Sequence, residues 1–130
     1  MILVDSSVWI DAFRNRSTPQ IVRLKLLVGV EELAIGDLIL VEILQGTDSE
    51  RDFYRVRQRM AEFPSIEIGG TEIAIQAARN YRELRGLGIT VRKTIDTLIA
   101  TRCIQDGHKL LYSDRDFDPF VEHLGLDPAL

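Results

Sequence analysis

Three consecutive apolar residues, Ile2-Leu3-Val4, break at Asp5-Ser6-Ser7, a pattern that reads as a short strand running into a turn or helix cap. Val8 to Arg14 then predicts a short helix. Pro19 stands where a second helix begins, and Ile21, Leu24, Leu27 and Val28 keep a helical period up to Gly29. Leu33-Ala34-Ile35 predicts another short strand before Gly36-Asp37. From Leu38 to Leu44 every position except Glu42 is apolar, as in a helix buried on all sides. Glu50 to Phe63 predicts a helix with Phe53, Val56 and Met60 on one face and Arg51, Arg55 and Arg59 on another. Pro64 closes it, and a short strand over 65–68 follows. Thr71 to Arg85 is the clearest helix, with Ala74, Ala77, Ala78 and Tyr81 stacked on one face and Gly86 and Gly88 as the stop. Thr94 is positioned to cap a helix through Ile104, ended by Asp106-Gly107. Lys109 to Tyr112 predicts a strand that breaks at Ser113-Asp114-Arg115-Asp116, and a last short helix and strand complete the chain.

Short apolar strands alternating with amphipathic helices imply the α/β class, with a parallel sheet covered on both faces by right-handed crossovers. No repeat, low-complexity tract or linker divides the sequence, so one domain is expected over 1–130. Its 130 residues, 45% hydrophobic and 28% charged, exclude the disordered class and bury enough surface to need no disulfide or zinc merely to fold. With Cys103 as the only cysteine, a reducing compartment, the cytoplasm, is expected. No apolar run approaches the ~20 residues of a membrane span. Sixteen basic against 20 acidic residues leave a net charge of −4, so a polyanion has to be met by a local basic surface or by bound cations.

Parallel sheets carry their chemistry at the carboxyl ends of the strands, and that is where the acids gather. Asp5 follows the first strand; it can also cap the next helix, although Ser6 and Ser7 offer capping oxygens of their own. Glu42 is the only ionisable group between Leu38 and Leu44, with no basic residue within a helical turn. The bland alternative is a narrow exposed stripe shared with Gln45. Helical angles put Asp96 between Ile99, Ala100 and Cys103, inside the apolar arc, where the helix dipole alone does not require it. Asp114 and Asp116 follow the other clear apolar strand, although Asp also favours turns. If these positions converge, like charges need a counter-charge, and an all-oxygen donor set suits magnesium or manganese better than zinc. His108 and His123 form no metal-binding pair.

The segments around these acids resemble a known family. Val4-Asp5-Ser6-Ser7-Val8-Trp9-Ile10-Asp11 is similar to the opening of PIN-domain ribonucleases. Val41-Glu42-Ile43 with Gly46, Ile95-Asp96-Thr97-Leu98-Ile99-Ala100 and Leu111-Tyr112-Ser113-Asp114-Arg115-Asp116-Phe117 resemble the second, third and fourth motifs. Four motifs in order, over essentially the whole chain, match the VapC-type toxin branch of toxin–antitoxin pairs. The resemblance implies a PIN-like three-layer α/β/α sandwich with a central parallel sheet of four to five strands. It implies a Mg²⁺- or Mn²⁺-dependent endoribonuclease that is a homodimer and is held inactive by a small VapB-type antitoxin. By motif position Asp5, Glu42, Asp96 and Asp114 form the acidic quartet, with Asp116 an auxiliary metal ligand and Ser113 a hydroxyl beside the metal. Asp11 stays outside the site, a helical turn from the strand end.

Among basic residues, Arg85, Arg92 and Lys93 precede Asp96 and are candidates for flanking RNA. The Arg51, Arg55, Arg59 stripe reads as a solvated face, a partner-docking surface or an RNA track. A receiver domain is disfavoured because the third strand ends at Ile68-Gly69-Gly70 without an aspartate. A haloacid-dehalogenase-type phosphatase is disfavoured because Asp5-Ser6-Ser7 lacks its second acid. The other class is a PIN-like module that has lost catalysis and acts by RNA or protein contact alone; all four acids are present.

Overall fold

The computed structural model describes residues 1–130. Five short strands, β1 (Ile2–Val4), β2 (Leu33–Gly36), β3 (Ser65–Ile66), β4 (Lys109–Leu111) and β5 (Asp127–Pro128), form one sheet in the order β3-β2-β1-β4-β5. Every pairing is parallel, with Leu3 opposite Ala34 on one side and Leu110 on the other. The α/β class and the strand number read from the sequence are both observed.

Helices α1 (Ser6–Phe13), α2 (Pro19–Leu27), α3 (Asp37–Gln45) and α4 (Glu50–Met60) pack among themselves as one layer. The long α5 (Thr71–Gly86), with α6 (Thr94–Asp106) and α7 (Asp118–Leu124), packs as the other. The central strands are buried along their whole length, as expected for a sheet covered on both faces. Trp9 belongs to the buried core, its ring centroid 5.1 Å from that of Phe63 in the segment after α4.

Several expected faces are redrawn. The helix carrying Glu42 is not buried all round: Ile39 and Ile43 are buried, whereas Val41 is 53% exposed. On α4 only Met60 is buried and Phe53 reaches solvent. The inner face of α5 is Ile73, Ala77, Asn80 and Leu84, with Ala74 and Ala78 outside. Periodicity in alanines misleads there because the inward polar residue has a partner across the interface: Asn80 Nδ2 donates to Thr101 Oγ1 of α6 at 3.0 Å. Thr94 does not cap α6; Lys93 occupies the cap position, without a side-chain hydrogen bond. The third strand stops at Ile66 rather than at Ile68, and the Ile68 N–H donates instead to Asp37 Oδ1 at 2.9 Å.

Candidate metal-binding site

The chain moves outward from β1 to β2 and β3, then crosses back to lay β4 on the opposite side of β1. That reversal makes the carboxyl ends of β1 and β4 a topological switch point, the place where open α/β sheets have their ligand-binding crevice. Asp5 stands there, and its N–H donates to Leu111 O at 2.9 Å, extending the β1–β4 pairing to the edge. The capping reading of Asp5 holds for one oxygen: Oδ2 accepts from the Ser7 N–H (3.1 Å) and from Ser7 Oγ (2.6 Å). Oδ1 is buried with no partner. Ser7 Oγ also accepts from the Ser113 N–H at 3.1 Å, so one hydroxyl joins the ends of both strands. Burial raises the Asp5 carboxyl above its ordinary range in spite of the Ser7 donors.

Asp96 lies in the first turn of α6, 3% exposed, as the helical angles predicted. Its Oδ2 is buried without a partner. Burial first, then repulsion from Asp5 and Asp114, pushes its pKa up to about 7. Asp114 caps the turn after β4, accepting the Asp116 N–H on Oδ1 at 2.9 Å. Asp96, Asp114 and Asp116 each bring one carboxylate oxygen within 4.8 Å of the others. Asp5 and Glu42 are not part of that tight trio but border it closely enough for each to feel Asp114. Glu42 is half-buried, its Oε1 accepting from Ser6 Oγ at 3.2 Å, and burial followed by the Asp5 charge raises its pKa.

Two of the candidate basic residues reach the acids and one does not. Arg92 Nη2 lies 2.9 and 3.2 Å from the two oxygens of Asp116, and Lys93 Nζ is 3.8 Å from Asp114 Oδ2. The Arg85 guanidinium lies instead over the Tyr81 ring, 5.7 Å from its centroid. Arg55 pairs with Asp52 at 3.0 Å, and with Arg59 it borders a cleft of about 620 Å³ floored by Ile10, Phe13, Ile43 and Val56. Arg51 is not part of that cleft. Asp11 is outside the site, 3.5 Å from Arg16 Nη1. The two histidines are spent elsewhere, His108 beside Asp106 and His123 beside Glu122.

The donor set fits a hard divalent cation. Buried carboxylate oxygens without partners are expensive unless a cation compensates them, and here Asp5 Oδ1 and Asp96 Oδ2 are both in that condition. Ser113 Oγ is also buried and unpartnered. Oxygen ligands without His or Cys suit Mg²⁺ or Mn²⁺. In the sequence alone Ser6 and Ser7 read only as capping residues. Their hydroxyls in fact hold Glu42 and Asp5, a function signalled only by their place directly after the acid at a strand end. Asp37, which no local pattern marks, joins the α3 start to Ile68 by accepting the Leu38 and Ile68 N–H groups.

The profile of the PIN domain family matches residues 2–121. The VapC ribonuclease Mb1587 of Mycobacterium bovis is 30% identical over 131 residues, covering 99% of this chain and 98% of that protein. Ribonuclease VapC11 of Mycobacterium tuberculosis matches at the same identity and coverage. Among solved structures, VapBC2 of Rickettsia felis bound to a DNA fragment from its promoter superposes with a TM-score of 0.78 at 17% identity, covering 98% of this chain and 97% of that one. DNA-bound VapBC of Salmonella typhimurium gives 0.75 at 20% identity, covering 98% and 95%.

Proposed function

This chain belongs to the PIN domain family, within its VapC ribonuclease branch, and from that premise we propose that residues 1–130 are one PIN domain hydrolysing RNA phosphodiester bonds with Mg²⁺ or Mn²⁺. It acts as the toxin of a toxin–antitoxin pair. Asp5, Glu42, Asp96 and Asp114 carry the reaction, Asp116 is an auxiliary ligand, and Ser113 stands beside the metal. The observation that carries the reading is the crowding of Asp96, Asp114 and Asp116, each with a carboxylate oxygen within 4.8 Å of the others, while Asp96 Oδ2 is buried without a partner.

A divalent cation bound there supplies a water of lowered pKa and offsets charge on the phosphate. Everything else falls to the chain. Ser7 fixes one oxygen of Asp5 with two donors, which leaves the other free as a ligand. The first turn of α6 presents Asp96 rigidly from a buried position, and Ser6 holds Glu42 at the border of the crevice. Lys93 and Arg92 bring positive charge to the rim, where an RNA phosphate arrives against a net negative protein.

Purified protein incubated with RNA and Mg²⁺ or Mn²⁺ is expected to cleave it, to stop with EDTA, and to lose activity in Asp96→Asn. Cleavage that persists in EDTA or in the variant refutes the mechanism, and retained RNA binding without cleavage would support the catalytically inactive module. A small VapB-type antitoxin is the expected partner, supported by the VapBC assemblies among the structural neighbours. Co-purification with a small protein encoded beside it tests that. A cytoplasmic homodimer completes the proposal and is tested by light scattering.

A further inference from the structure

One residue of the site has both carboxylate oxygens engaged by a positive charge from this chain. Arg92 Nη2 straddles Asp116, 2.9 Å from Oδ1 and 3.2 Å from Oδ2. The oxygen that Asp116 contributes to the group with Asp96 and Asp114 is therefore one that Arg92 already holds. The other acids are not occupied in this way. Asp5 Oδ1 and Asp96 Oδ2 are unpartnered, and Lys93 stands 3.8 Å from Asp114 Oδ2, beyond hydrogen-bond range.

The anchoring of Arg92 is also particular. Val91 before it is buried and Lys93 after it caps α6, which fixes the backbone on both sides. The side chain itself is 76% exposed, whereas that of Asp116 is 18% exposed. A long guanidinium arm on a fixed root can leave Asp116 without disturbing the fold. Exposed ion pairs are weak, so leaving costs little. Arginine prefers the planar oxygens of carboxylate and phosphate alike, and a phosphodiester entering over the crevice offers the same geometry.

We propose that Arg92 is an exchangeable counter-ion of the acidic site: it holds Asp116 while no cation is bound, and passes to an RNA phosphate when Asp116 turns to the metal. This rests on the metal-dependent reading of the site and adds to it an order of events. A cation and a guanidinium on the same carboxylate repel one another, so a bound cation weakens the hold of Arg92 on Asp116. Metal loading thereby frees the residue that receives the substrate, and by linkage RNA that captures Arg92 tightens metal binding in return. Arg92 thus acts on the metal through Asp116 and on the RNA phosphate directly.

The test measures Mn²⁺ binding without RNA, by the electron paramagnetic resonance signal of free Mn²⁺, in wild type, Arg92→Gln, Asp116→Asn, the double variant and Asp96→Asn. Arg92→Gln is expected to tighten Mn²⁺ about two- to fivefold, the range set by an exposed ion pair. On the Asp116→Asn background the same change is expected to have no effect. Equal tightening on both backgrounds would mean simple long-range repulsion and overturn the exchange; so would weaker binding in Arg92→Gln, which a purely structural arginine would give. A second arm titrates a short fluorescein-labelled oligouridylate with Ca²⁺ in place of Mg²⁺. Arg92→Gln is expected to bind it less tightly, with a log–log salt slope shallower by about 0.7, one phosphate contact on a single strand. An unchanged slope removes the phosphate half of the proposal. If wild type binds no Mn²⁺, or Asp96→Asn binds it as well, the site reading itself fails. If only the Arg92 variants behave like wild type, the exchange alone fails.

Discussion

In the cation-free protein, Asp96→Asn is expected to raise thermal stability above neutral pH. Burial first, then Asp5 and Asp114, hold this carboxyl at about 7 instead of 3.8. Between those values the unfolded chain has released its proton and the folded chain has kept it, so stability falls as pH rises through that window. At full ionisation the loss corresponds to about 4 kcal/mol. Three effects reduce what one substitution recovers. Asp5, Glu42 and Asp96 interact, so protons are shared among them, and the α6 N-terminus favours a charged Asp96 by about 0.3–1 kcal/mol. An asparagine amide must also be buried where Oδ2 has no partner, at about 1 kcal/mol or more. The net expectation near pH 8 is about 1–2 kcal/mol, or a Tm higher by roughly 4–8 °C for a chain of this size. Near pH 4.5 the advantage should vanish, because most of the loss accumulates only as pH rises from there toward 7. Trp9, the only tryptophan and a buried one, gives a fluorescence readout in EDTA across this pH range. Saturating Mn²⁺ should reverse the order, since a cation at 100 times its Kd adds about 2.7 kcal/mol to a protein that binds it. A variant less stable than wild type in EDTA near pH 8, or an advantage independent of pH, would show that the Asp96 carboxylate is structural and refute the argument.

Ser7→Ala removes the hydroxyl that donates to Asp5 and accepts from Ser113, leaving the Ser113 N–H without its bond; a loss of about 1–3 kcal/mol in urea unfolding is expected, together with weaker Mn²⁺ binding. If metal affinity is untouched, Ser7 does not orient Asp5. Gly36→Ala would place a Cβ 2.7 Å from Cγ1 of the fully buried Ile68, at the point where β2 launches the helix bearing Glu42. Overpacking of this kind costs about 1–3 kcal/mol, read as a lower urea midpoint, and wild-type stability in the variant would mean that Ile68 yields freely.

The order of strands and helices was legible in the chain because each short apolar run ends at a turn signal and each helix has its own apolar period. The acids were legible because they break that pattern: Asp5 and Asp114 at strand ends, Asp96 inside an apolar arc. Which helix faces are inward was less so. Ala74 and Ala78 look like a core stripe along α5, yet Asn80 points inward, since the partner that satisfies it, Thr101, lies on another helix. Glu42 looked enclosed because its neighbours are apolar, but Val41 faces solvent and the helix is covered on one side only.

Sequence by itself therefore determined the element types, the parallel α/β class and which acids interrupt the apolar pattern, all of which follow from local periodicity and local breaks in it. Only the tertiary structure decided which oxygens are free and which acids already face a cationic side chain. Those facts arise between residues far apart in the chain, such as Ser7 with Ser113 or Arg92 with Asp116. Charge and hydrogen bonding act through distances of a few ångströms in space, and no local pattern of residues encodes which groups the closed sheet will bring that near.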